Sequence, residues 1–184
     1  MSAVVGLDPS LVSAGIAILG ADGSARTWSV GHTGTDGASW ADRSDRIVAQ
    51  TRLVLRQIPV DAALVVIEDM PSHMRPQPGL GDRWALWWGL YSAIRARQTP
   101  IAVVNPKTRA KWATGNGNSD KRAVLAAVRA DWSQVRIPND DCADALTMAA
   151  MGALHLGREL PFEVRRRHHA GIENITWPEG ATPR

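Results

Sequence analysis

Asp8, Glu68, Asp141 and Asp144 are the residues whose type and placement suit chemistry. Asp8 closes the apolar run AVVGLD, Glu68 closes ALVVIE, and Asp141 and Asp144 open the apolar stretch DCADALTMAAMGAL. A carboxylate beside core-bound apolar residues is costly unless a positive charge neutralises it. Its recurrence in one small chain points to a shared cation. Hard oxygen donors select Mg²⁺ or Mn²⁺, and no Cys/His spacing suits zinc. Two such ions, roughly 3.5–4 Å apart, activate a water and stabilise the leaving oxygen of a phosphodiester; several carboxylates are needed to balance them. Blander roles stand beside this one. Asp8 before Pro9 suits a turn, and Asp141 suits a helix cap. Glu68 has no such local alternative.

The elements that must position these residues follow from hydrophobic period and turn signals. Residues 3–8, 13–19, 25–31, 63–68 and 100–104 read as five strands, rich in small and β-branched residues, with Ala21-Asp22-Gly23 turning the second into the third. Residues 40–58 carry apolar side chains at spacings of three and four, and Pro59 ends the pattern. Residues 70–82, with three prolines and two glycines, read as a loop closed by Asp82 as the cap of a helix from Arg83. That helix, RWALWWGLYSAIRARQ, is apolar around so much of its circumference that it needs two partners: the sheet, and a second copy of the chain. Residues 105–120 read as a loop. Helices are expected at 121–132 and 141–156. Asp8 and Glu68 then end two central strands, while Asp141 and Asp144 share a helix face in a first turn, where the helix dipole favours negative charge. The whole is an α/β domain with a mixed sheet over residues 1–158, followed by a basic, weakly structured tail over 159–184.

Composition sets the frame. The chain has 184 residues, 45% of them apolar and 21% charged, as expected of a single domain with a full core. One cysteine, Cys142, excludes an intrachain disulfide and suits a reducing cytosol; it reads as a small core residue. No run has the length of a membrane helix and the N-terminus lacks a signal-peptide pattern. The net charge of +3 is only mildly basic, but its distribution is informative. Lys107, Arg109, Lys111, Lys121 and Arg122 fall in one segment with Gly115, Asn116, Gly117 and Asn118, which suits salt-sensitive phosphate contact as well as a solvated loop. Trp112 among them suits stacking on an unpaired base or packing. Arg165, Arg166, Arg167, His168 and His169 suit a phosphate-binding arm or a solvated tail.

Taken together, GLDPSLVSAG at 6–15, VVIED at 65–69, NPKTRAKWATGNGNSDKRAV at 105–124 and DDCADALTMA at 140–149 resemble the RuvC-type Holliday-junction resolvases of the RNase H-like superfamily. The D-P-S-x-x-x-x-G and D-x-A-D-A-L pieces are specific in combination, and the likeness runs to about residue 156. It implies an RNase H-like mixed five-stranded sheet flanked by helices. It also implies a Mg²⁺-dependent homodimer that nicks opposing strands of a four-way junction, with Mn²⁺ able to substitute and two ions per subunit. Asp8, Glu68, Asp141 and Asp144 would be the metal-binding carboxylates. Lys107 and Lys121 would match the family's DNA-contacting bases, Lys121 acting at the phosphate. The helix at 83–97 would match the subunit contact. The compact form is similar to resolvases encoded by bacteriophages, where debranching replicated DNA is a further task. After Glu68 the chain departs from the bacterial pattern: Asp69-Met70-Pro71 stands where an aromatic wedge is found, leaving Met74 or Trp84 as substitutes, and His73 in the same loop. Two alternatives keep the fold and change the function: a nuclease acting on RNA or RNA–DNA hybrid, and a silent junction-binding protein.

Overall fold

The structure, a computed structural model, describes residues 2–70 and 78–182. In chain order it contains β1 (Val4–Asp8), β2 (Ala14–Leu19), β3 (Ala25–Val30), α1 (Trp40–Leu55), β4 (Leu64–Glu68), α2 (Leu80–Ala96), β5 (Ile101–Val104), α3 (Pro106–Thr114), α4 (Lys121–Asp131), α5 (Asp140–His155) and α6 (Arg166–Glu173). The five strands form one sheet in the order β3-β2-β1-β4-β5. β1 runs antiparallel to β2 and parallel to β4; β2 and β3 are antiparallel, β4 and β5 parallel. This is the expected mixed five-stranded α/β architecture.

Strand alternation divides the core into two layers. Val5, Leu7, Val65 and Ile67 face α1 and α2, meeting Val54, Leu86, Leu90 and Ile94. Val4, Leu64, Val66 and Val104 face the layer of α3, α4, α5 and α6. By the same period Asp8 and Glu68 fall on this second face, beneath α5. That helix buries every residue from Cys142 to Ala153. It approaches the sheet so closely because glycines make room. A Cβ at Gly6 would lie 1.8 Å from the Ala145 carbonyl oxygen, and one at Gly15 would lie 2.0 Å from that of Asp141.

Three local expectations are revised. Residues 105–120 are not a continuous loop: Asn105 caps Lys107 N–H, Pro106 supplies N1, and Gly115 takes a left-handed φ of 91° to end α3. α2 begins at Leu80 rather than Arg83. Asp82 does not cap it but sits in its first turn, where Arg43 Nε and Nη2 donate to its carboxylate at 3.0 and 2.7 Å. The stretch after Leu160 is not weakly structured. α6 packs on α3, with Arg167 donating to the Trp112 and Ala113 carbonyls at 3.2 and 3.3 Å. Phe162, Trp177 and Ile175 join the core. The Arg/His/Pro-rich composition conceals the apolar residues that anchor it. His73 and Met74 lie outside the described residues; Trp84 is half-buried on α2. Among the described residues no helix is long and apolar enough to cross a membrane.

Candidate active site

The parallel register sets Leu7 beside Ile67, so the next residues, Asp8 and Glu68, end adjacent strands at one end of the sheet. Neighbouring strands stand about 4.8 Å apart. Trp87 Nε1 of α2 donates to the Glu68 carbonyl at 2.8 Å and secures that strand end. Asp8 pairs across β2 with Gly15, and Gly15 is the notch that receives Asp141. Asn139 caps α5 by accepting from Cys142 N–H at 3.0 Å. Its first turns therefore carry Asp141 and Asp144 onto the two strand ends. The structure brings Glu68, Asp141 and Asp144 near enough to Asp8 for each to act on its charge. Burial, then the negative charges of Glu68, Asp144 and Asp141, hold the Asp8 carboxyl well above the usual carboxylate range, with Arg109 opposing. Asp144 is pushed up to about 7, by burial first; Arg109 opposes and Glu68 adds to the rise.

Arg109 is the residue that the sequence reading misplaced. Expected at a phosphate-facing surface, it is only 8% exposed. Its Nε donates to Glu68 Oε1 at 2.6 Å and its Nη1 donates to Asp144 Oδ1. A charge can be buried only with partners, and removing one partner of such a pair typically costs about 3–5 kcal/mol. The signal available in the sequence was helical spacing. With Asn105 as cap, Arg109 and Trp112 lie three apart on one face of α3, and that face is turned inward. Trp112 is 3% exposed, and its Nε1 donates to the His168 carbonyl at 3.0 Å. Of its two expected roles, the structure has it packing.

Lys121, at the start of α4, is bound not to one of the four carboxylates but to the neighbouring Asp140. Its Nζ donates to Asp140 Oδ2 at 2.5 Å, and Asp140, Asp141 and Asp144 together favour its charged form, the Asp140 hydrogen bond most. Lys107, Lys111 and Arg122 are exposed. Cys142 is fully buried, and burial pushes its thiol up, as suits a core residue.

The all-oxygen donor set of Asp8, Glu68, Asp141 and Asp144 fits a hard divalent cation. Among the described residues, no three acidic, His or Cys side chains already stand grouped to hold one. Glu68 and Asp144 are engaged with the Arg109 guanidinium instead.

A five-stranded sheet in the order 3-2-1-4-5 with helices on both faces, and carboxylates at the ends of its first and fourth strands, is the RNase H-like class of α/β fold. Within that class the chain has the RuvC fold. It is similar to the Thermus thermophilus RuvC structure at a TM-score of 0.63 and 18% identity, covering 95% of this chain and 99% of that one. It is equally similar to T. thermophilus RuvC in complex with Holliday junction substrate, at a TM-score of 0.64 and 19% identity, covering 96% and 99%. No protein-family model and no curated protein matches the sequence.

Proposed function

We propose that the chain is a divalent-metal-dependent, structure-selective endodeoxyribonuclease that nicks Holliday junctions and other branched DNA. The observation that carries this reading is the convergence of Asp8 and Glu68, at adjacent strand ends, with Asp141 and Asp144 of α5. Asp8 is held well above its usual pKa by burial and by its acidic neighbours. Surplus negative charge of this kind marks a site built for a cation. Asp8, Glu68, Asp141 and Asp144 would hold Mg²⁺ or Mn²⁺, two ions per subunit, and the ions would supply a lowered pKa for bound water and charge neutralisation at the phosphate. The likeness to a RuvC bound to Holliday junction substrate supports branched DNA as the ligand.

The chain's own residues have defined parts in this reading. Lys121, with its side chain 75% exposed at the rim of the carboxylates, meets a phosphate oxygen and offsets its charge. Lys107, Lys111 and Arg122 hold the flanking backbone through salt-sensitive contacts that carry no sequence information. Trp88 is 54% exposed beside half-buried Trp84 and Tyr91 on α2, an apolar surface that a second copy covers. The resulting homodimer presents two sites to two strands of a branch, so selection is by shape. A bacterial or phage-infected cytosol would be its setting.

A nicking assay on a synthetic four-way junction tests the proposal, with Mg²⁺, Ca²⁺ or EDTA and with Glu68→Gln beside the unaltered chain. Mg²⁺-dependent nicking that falls at least about 100-fold in the variant is expected. Metal-independent cutting, or full activity in Glu68→Gln, defeats the mechanism. Preference for an RNA–DNA hybrid of matched length redirects the substrate assignment.

A further inference from the structure

Arg109 holds the place between Glu68 and Asp144 through two charge-assisted hydrogen bonds, with its side chain only 10% exposed. Those two oxygens, Glu68 Oε1 and Asp144 Oδ1, are half of the donors these carboxylates offer to the proposed ions. A guanidinium and a divalent ion cannot both satisfy the same lone pairs of a closely packed pocket. We infer that Arg109 is the resident counter-cation of the metal-free site, and that divalent metal enters by displacing it from at least one of the two carboxylates. This rests on the proposed metal-dependent function and names the device that regulates loading.

The surroundings suit that exchange. Arg109 belongs to α3, a short helix capped at both ends and tied at its C-terminal turn to Arg167 of α6. The backbone that delivers the guanidinium is therefore anchored, so its displacement falls to the side chain. The monovalent charge of Arg109 faces Glu68 and Asp144 directly, with Asp8 close enough to feel it and Lys121 acting on Asp144 from the rim. That leaves the pocket negative and still attractive to a divalent ion. In the absence of metal, the guanidinium limits repulsion that would drive the strand ends and α5 apart. Arg109 thus protects the apo fold and lowers apparent metal affinity at once, because every ion bound must first break a buried pair.

The test is calorimetric titration of the full chain with Mn²⁺, alone and without DNA, comparing the unaltered chain with Arg109→Gln and Arg109→Lys. Arg109→Gln removes the competing charge and is expected to bind Mn²⁺ about tenfold more tightly. It should also melt at a lower temperature without metal and gain more on Mn²⁺ addition than the unaltered chain does. Arg109→Lys keeps a charge that is monodentate and more readily withdrawn, so an intermediate tightening of about threefold is expected. Should Arg109→Gln fail to fold without metal, Arg109→Lys decides. Unchanged or weaker Mn²⁺ binding in a folded variant overturns the inference while leaving the proposed function standing. If Mn²⁺ binds to none of the three proteins, the metal-dependent function falls and the inference falls with it.

Discussion

On one face of the sheet α5 buries every residue from Cys142 to Ala153, a carboxylate among them. On the other, α2 buries Leu86, Trp87, Leu90 and Ile94 but leaves Trp88 54% exposed. The first face uses small residues, Ala and Gly, so that helix and sheet backbones nearly touch. The second uses larger side chains, Leu, Ile and Trp, and leaves aromatic area over at Trp88. Close approach is what a charged site requires, because Asp141 and Asp144 are short side chains that must reach strand ends. Surplus apolar area is what a partner surface requires. Similar hydrophobic content therefore serves placement on one side and leaves the surface for the proposed association on the other.

The comparison is broken most sharply at Gly6. In Gly6→Ala the new methyl meets the Ala145 carbonyl at the heart of the α5 contact. A loss of about 3 kcal/mol or more in unfolding free energy is expected from urea titration. A loss under about 1 kcal/mol would mean that α5 is not held this closely. On the opposite face, Trp88→Glu should weaken self-association by at least about tenfold in sedimentation while changing subunit stability by no more than about 0.5 kcal/mol. An unaltered association state removes α2 as the contact.

A third prediction concerns the α5 side, where His168 of α6 stands 4.4 Å from the Trp112 ring. Burial, with Arg167, Arg165 and His169 adding to it, lowers the imidazole from 6.5 to about 4. The unfolded chain therefore binds a proton in that window that the folded chain refuses. Stability from neutral His168 is complete above pH 6.5 and is lost as pH falls toward about 4. The advantage of the unaltered chain over His168→Gln should shrink by roughly 1–2 kcal/mol between those limits, followed by thermal unfolding against pH. A constant difference across the window would contradict it. The smallest effect belongs to the α1–α2 side: Arg43→Ala removes a partly exposed pair with Asp82 and should cost less than about 1 kcal/mol. A larger loss in the same unfolding titration would mean that the pair fixes how α1 sits against α2.

How far the sequence could be read differs from segment to segment. β1 and β4 were legible because runs such as AVVGL and ALVVI have one stable use, a strand buried on both faces. α5 was legible from its long apolar run, although its cap is Asn139 and not Asp141. α3 was obscured by the Gly, Asn and basic residues around it, although Asn105-Pro106 is a helix-start signal and Gly115 a stop. α6 was obscured by charge, since Phe162, Ile175 and Trp177 lie too far apart in the chain to make an apolar pattern. Arg109 looked like a surface residue, and Trp112 stood open between stacking and packing, because a segment read as a loop has no inward face.

By itself the sequence determined the five strands and the helices α1, α2, α4 and α5, that Asp8 and Glu68 close strands, and that Asp141 and Asp144 share a helical face. Those are consequences of period and capping, which act over a few residues. Only the tertiary structure decided that Arg109, rather than Lys107 or Lys121, bridges Glu68 and Asp144. That assignment depends on where β4, α3 and α5 meet, and the electrostatics of a buried pocket are set by neighbours that the chain order does not reveal.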